Sequence, residues 1–146
     1  MTGLTKLYID MDDVLADFST AFYEKRTKDI QYPQATHGFF ADLEPLEGAI
    51  EAFNYLFLRY DVWIATAPSV KNPMCYTEKR MWVEKHLGMA AVDKLIIIPN
   101  KALLKGALLI DDNLTGRGQE SFEGYLVYFT GDWAETLQEV QEVLPV

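Results

Sequence analysis

Short β-favouring runs alternate with segments of helical period along this chain of 146 residues, and that alternation predicts an α/β fold built on a parallel sheet. Two further observations point the same way. The first run, residues 4–9, is apolar and stops abruptly at Asp10-Met11-Asp12-Asp13, and a later run, residues 107–110, stops at Asp111-Asp112-Asn113. Carboxylates are costly at the end of a buried strand unless a cation or donor compensates them, and the carboxyl ends of parallel strands are where open α/β sheets hold ligands.

Each element follows in turn. After the first strand, Val14, Leu15, Phe18, Ala21 and Phe22 recur at helical spacing. Periodicity then fails over residues 27–43, where Pro33, His37 and Gly38 sit among Tyr32, Phe39 and Phe40, so a short cap is expected at about 27–45, inserted after the first strand-helix unit. Ile50, Phe53, Tyr55, Leu56 and Phe57 mark a second helix ending near Arg59, and Asp61 opens a second strand over residues 62–65 that delivers Thr66-Ala67-Pro68-Ser69 to a loop. Met81, Trp82, Val83 and Leu87 mark a third helix with Gly88 as its stop. Residues 95–98 form a third strand, followed by Pro99-Asn100-Lys101; residues 107–110 form a fourth; and residues 125–129 form a fifth beyond the glycine-bearing loop 115–118. Asp132 with Glu135 has the spacing of a capping pair for a last helix running to Val143. Right-handed crossovers would cover both faces of the sheet, giving three layers in a single domain, residues 1–146.

Composition narrows the partners. The 49% hydrophobic content suffices for a sizeable core, and a formal net charge of -9 argues against a nucleic-acid polymer, whose binding needs Lys and Arg to neutralise phosphates. Cys75 is the only cysteine, which excludes an intramolecular disulfide or a cysteine-based zinc cluster. No run approaches the roughly 18 apolar residues of a membrane span, and no apolar signal region opens the chain, so a cytoplasmic address is expected and a membrane partner is not.

Four strand ends thus present, in chain order, Asp10 and Asp12, the hydroxyl of Thr66, the ammonium of Lys101, and Asp111 with Asp112. An oxygen-rich cluster of this kind suits Mg²⁺, which takes a few carboxylates and the substrate's own phosphate oxygens. A carboxylate can attack phosphorus to form an aspartyl-phosphate, and a second acid two residues along can serve the leaving oxygen and then water. Thr66 and Lys101 would hold the phosphoryl oxygens.

The run Asp10-Met11-Asp12-Asp13-Val14-Leu15-Ala16-Asp17-Phe18 resembles the first motif of the haloacid-dehalogenase-like (HAD-like) phosphatases, and specifically of the 5'(3')-deoxyribonucleotidases. Three further stretches carry the narrower likeness: Phe39-Phe40-Ala41-Asp42-Leu43-Glu44-Pro45-Leu46-Glu47-Gly48-Ala49; Thr66-Ala67-Pro68 with Glu78-Lys79 and Trp82-Val83-Glu84-Lys85; and Leu108-Leu109-Ile110-Asp111-Asp112-Asn113. The resemblance implies a Rossmann-like three-layer sheet and a phosphomonoesterase acting on (deoxy)nucleoside monophosphates. By that likeness Asp10 is the nucleophile, Asp12 the general acid/base, and Thr66 and Lys101 the phosphate holders. Mg²⁺ falls to Asp10, the carbonyl of Asp12 and an acid of the pair, Asp111 being favoured with Asp112 behind it. Ala67 joins the substrate contacts, and Phe18 resembles the family's base-stacking aromatic. The cap is shorter than in the family, and Pro99 and Asn100 stand where the family has a basic residue before the motif lysine, so Lys71 is the substitute expected near the phosphate. Homodimer formation stays open.

Plainer readings accompany these. Phe18 shares the apolar stripe of Val14 and Phe22, so core packing competes with stacking; Phe40 is expected at the pocket, with Phe39 and Tyr32 lining its mouth or anchoring the cap. Glu78, Lys79, Glu84 and Lys85 read as a solvated helix face, and His37, His86 and Cys75 as residues without a chemical role. The alternatives are a receiver-type phospho-acceptor domain, whose order of acids and lysine differs from this one, a HAD phosphatase of another small phosphate ester, and an idle Mg²⁺-binding relative.

Overall fold

A computed structural model describes residues 3–146. Strands β1 (Lys6–Ile9), β2 (Asp61–Thr66), β3 (Leu95–Ile97), β4 (Leu108–Asp111) and β5 (Tyr125–Tyr128) form one all-parallel sheet in the order β3-β2-β1-β4-β5. β1 lies at the centre. Ile9 pairs with Ile64 on one side and Ile110 on the other, so the chain leaves β1, β2 and β4 along the same edge.

Helices α1 (Phe18–Lys25), α2 (Ala49–Phe57), α3 (Met74–Leu87), α4 (Met89–Val92) and α5 (Trp133–Val143) complete the α/β architecture. The strand and helix order matches the sequence expectation, with the short α4 added after Gly88, whose φ of 94° ends α3. The layers are less even than expected. Leu7, Ile9, Ile64 and Ile110 share one core with Phe53 and Leu56 of α2, Trp82 and Val83 of α3, and Val140 of α5. The opposite sheet face carries Tyr8, Ala65 and Leu109 and is covered by Leu104 and Phe122, next to short 3-10 turns at Lys101–Leu103 and Gln119–Ser121. Too few residues separate β3 from β4 for a helical crossover, so a single turn makes the passage.

The first helix also starts later than its apolar spacing suggests. Val14 and Leu15 are fully buried, but in a tight turn: the carbonyl of Met11 accepts from the N–H groups of Leu15 (2.8 Å) and Ala16 (2.9 Å), and Asp13 stands at φ 60°. Asp17 then caps α1 by accepting from Thr20 N at 3.1 Å. Core-facing turn residues thus mimicked a helical stripe. Among the described residues no helix is long and apolar enough to cross a membrane.

Candidate active site

Asp10 follows directly from β1, its N–H donating to the carbonyl of Ile110 at 2.9 Å, which fixes it beside the end of β4. Lys101 arrives from the turn after β3 and is almost wholly buried; its Nζ donates to Asp10 Oδ1 at 2.7 Å and to Asp111 Oδ2 at 2.5 Å. Asn100 caps that turn, and the loop after β4 closes over it: Lys101 N donates to the carbonyl of Arg117 at 2.6 Å. Gly118 is needed for this approach. At φ 85° a Cβ there would stand 2.0 Å from Asn100 Oδ1 and 2.9 Å from Ala102 N.

A second buried ammonium lies under the next strand end. Lys79 of α3 is fully buried, donating to Thr66 Oγ1 (2.5 Å), the carbonyl of Ala67 (2.7 Å) and Asp12 Oδ2 (3.0 Å). Its neighbour Glu78 is buried too and accepts from the N–H groups of Gly38 (2.8 Å) and Phe40 (3.1 Å), tying the cap to α3. The expected solvated face is corrected here for both residues. A cavity of about 320 Å³ opens above these groups, lined by Asp10, Asp12, Lys101 and Asp112 on one side and by Phe18, Phe40 and Gln34 from α1 and the cap.

Comparison with known proteins now bears on this arrangement. Residues 24–140 match the family described as "5' nucleotidase, deoxy (Pyrimidine), cytosolic type C protein". The "Putative 5'(3')-deoxyribonucleotidase" of Vibrio phage KVP40 is 38% identical over 131 residues, covering 86% of this chain and 76% of the phage protein. The "5'(3')-deoxyribonucleotidase, cytosolic type" of Homo sapiens is 32% identical over 155 residues, covering 82% of this chain and 76% of the human one. The chain belongs to this deoxyribonucleotidase family. A protein of the same name from Bordetella bronchiseptica, 35% identical, covers 84% of this chain and 82% of its own.

The expected site residues do not all reach the same place. Asp10, Asp12, Lys101, Asp111 and Asp112 meet at the sheet edge, and Phe18, Phe40 and Ala67 face the cavity. Phe18 also packs edge-on to Phe39 at 5.4 Å and on Phe22 at 5.8 Å, so its core role and its place in the cavity wall coexist. Thr66 is fully buried, its hydroxyl engaged by Lys79. Lys71 is exposed in the turn after β2 and is not among the cavity-lining residues; Arg117, which donates to the carbonyl of Pro68 at 3.3 Å, brings a cation there instead. Phe39 is buried in the cap and Tyr32 is exposed. His86 lies against Trp82, and Cys75 is buried beneath the Ser69 N–H. Lys79, Arg117 and Gln119, whose Nε2 donates to Asp111 Oδ2 at 3.3 Å, are the site residues that periodicity did not reveal. A lysine at the second turn of a helix that begins eight residues after a ligand-bearing strand end was the available signal for Lys79.

The electrostatics of the site favour a bound cation. Burial pushes the Asp10 carboxyl well above the usual carboxylate range; Lys101 opposes that, while Asp111 and Asp12 add to it. Burial works against the charge of Lys101, but Asp10 and Asp111 more than offset it and hold its pKa above the ordinary lysine value. Asp112 is pushed up to about 6 by burial, with the charges of Asp111 and Asp13 adding and a hydrogen bond with Asp10 opposing. Asp10, Asp111 and Asp112 offer oxygens within 4.8 Å of one another, and Asp112 Oδ1 is buried with no hydrogen-bond partner among the described residues. An all-oxygen set with one orphaned acceptor fits a hard divalent ion. Both oxygens of Asp111 are already engaged, by Lys101 and Gln119 on one side and by the Asn113 N–H (2.9 Å) on the other.

Proposed function

We propose that this protein is an Mg²⁺-dependent phosphomonoesterase that hydrolyses (deoxy)nucleoside monophosphates through an aspartyl-phosphate on Asp10. The observation that carries the reading is the pairing of two buried lysines with the two acids of one strand end: Lys101 on Asp10 and Lys79 on Asp12, both acids facing a cavity walled by Phe18 and Phe40. In this reading Asp10 serves phosphorus and Asp12 the proton. The names of the relatives support the substrate class.

In the first half-reaction a carboxylate oxygen of Asp10 forms a bond to phosphorus as the ester P–O bond breaks, and Asp12 gives its proton to the departing nucleoside oxygen. In the second, Asp12 takes a proton from water as the water oxygen attacks phosphorus, releasing inorganic phosphate and restoring the Asp10 carboxylate. Lys101 offsets the negative charge that gathers between Asp10 and the phosphoryl group, and Arg117 adds a positive charge at the cavity wall. Asp10, the carbonyl of Asp12 and Asp112 would hold Mg²⁺, with Asp111 fixing Lys101 behind them; the partners already taken by Asp111 move the preference to Asp112. Bound there, the cation supplies Lewis-acid polarisation of the phosphate.

Deoxyribonucleoside and ribonucleoside monophosphates assayed against sugar phosphates test the substrate class. Nucleotide kcat/KM is expected to lead, activity to vanish in EDTA and to return with excess Mg²⁺; a clear sugar-phosphate preference overturns the reading. The metal also makes a stability prediction. An unfolded aspartate titrates near ~3.9 and folded Asp112 at about 6, so the metal-free folded state holds an extra proton between these values and loses stability as pH rises through them. Mg²⁺ relieves that penalty only where the proton is gone. Calorimetry at one Mg²⁺ concentration, 100-fold above the Kd at pH 7.5, should show a Tm rise of about 8 °C at pH 7.5, from about 2.7 kcal/mol of linkage, and about half of it at pH 5. An equal rise at both pH values would remove Asp112 from the metal.

A further inference from the structure

Three buried side-chain oxygens of the described residues have no hydrogen-bond partner, Asp12 Oδ1, Asp112 Oδ1 and Gln34 Oε1, and all three belong to residues lining the one cavity. Folded proteins seldom leave such acceptors unpaired, and each calls for a donor or a cation. The proposed chemistry supplies a cation for Asp112 and a travelling proton for Asp12. Nothing in phosphate hydrolysis supplies a partner for Gln34.

The backbone of Gln34 is held firmly. It sits in the 3-10 turn Pro33–Ala35, behind a buried proline that fixes φ, and its carbonyl accepts from Asn72 Nδ2 at 2.9 Å. Asn72 is itself fully buried and accepts from Met74 N at 3.0 Å, so the cap turn is fastened to the start of α3. The amide is therefore presented from a fixed backbone to a space whose other cap-side walls are the rings of Phe18 and Phe40. Flat apolar walls with one placed polar group are the usual build of a site for a flat heteroaromatic ring.

We propose that Gln34 is a specificity-determining residue that reads the nucleobase: Oε1 accepts an N–H from the edge of a base that lies with one face over the contacting rings of Phe18 and Phe40. This rests on the nucleoside monophosphatase reading above. A base that offers no N–H at that edge leaves the acceptor buried and unpaired, and it is this penalty, more than the bond itself, that discriminates.

Thymine in a nucleotide carries a single N–H, at N3, and methylation removes it. The test is the cycle of dTMP and N3-methyl-dTMP on the unmodified protein and on Gln34→Met, which keeps the length of the side chain without the acceptor. N3-methylation should lower kcat/KM about tenfold in the unmodified protein and less than twofold in the variant. The ratio of kcat/KM for dTMP to that for 2-deoxyribose 5-phosphate, which has no base, should fall about tenfold on Gln34→Met. A methylation penalty of equal size in both proteins, or none in the unmodified protein, overturns the role of Gln34 and leaves the nucleotidase reading standing. Failure of the unmodified protein to turn over dTMP overturns that reading itself. Should Gln34→Met not fold, Gln34→Leu closes the same cycle.

Discussion

Replacing Asp10 with Asn is expected to lower kcat on nucleoside monophosphates by a factor of about 10⁴ or more, because an amide cannot form the covalent phosphoryl ester and the two-step route closes. The fold should survive. Asp10 is buried with its charge disfavoured by burial, and Lys101 keeps Asp111 as a partner at 2.5 Å, so the uncharged isostere removes a desolvated charge without orphaning the lysine. Thermal unfolding within a few degrees of the unmodified protein, together with lost turnover, is the expected pair of results. Turnover of p-nitrophenyl phosphate within tenfold of the unmodified protein would sink the mechanism.

Lys79→Met is expected to separate two kinds of substrate. Lys79 is not itself among the cavity-lining residues; it positions Asp12, Thr66 and the Ala67 carbonyl from behind that lining. Without it Asp12 loses its anchor, and nucleoside monophosphates, whose leaving oxygen needs a proton, should lose about 10²–10³-fold in kcat. p-Nitrophenyl phosphate leaves without that help and should lose about tenfold or less. Stability should fall by about 2–4 kcal/mol, since three acceptors lose a charged donor. Equal losses on both substrates would mean that Lys79 is structural only.

The β-α alternation, the stop at Gly88, the cap at Asp132 and the acids at two strand ends were all legible in the sequence, because each follows from local chemistry: periodicity, a positive φ, a capping carboxylate, a carboxylate where none should be buried. What escaped depends on distances through space. Lys79 and Glu78 look like an ordinary charged pair on a helix, and only the seating of α3 under β2 and the cap buries them. Val14 and Leu15 obeyed helical spacing while packing as a turn, since apolar spacing records which residues face the core and not the backbone path between them. Lys71 and Arg117 exchanged places for the same reason: the cation that reaches the cavity comes from a loop 49 residues further on from Pro68, its hydrogen-bond partner, which no local pattern connects. The helix-free second face was equally hidden, since a short link between β3 and β4 shows only that a helical crossover does not fit and not what replaces it.

Glu78 and Lys79 are consecutive residues of one helical turn, and they reach in different directions, one to the cap and the other to the acid at the chemical end of the site. The helix therefore acts as a gauge. A shift of α3 would carry the floor of the proton-transfer step and the rim that holds the aromatic wall together, keeping the span between them constant. Whatever fills the cavity between Asp12 and the cap meets two walls that are joined at adjacent positions in the chain.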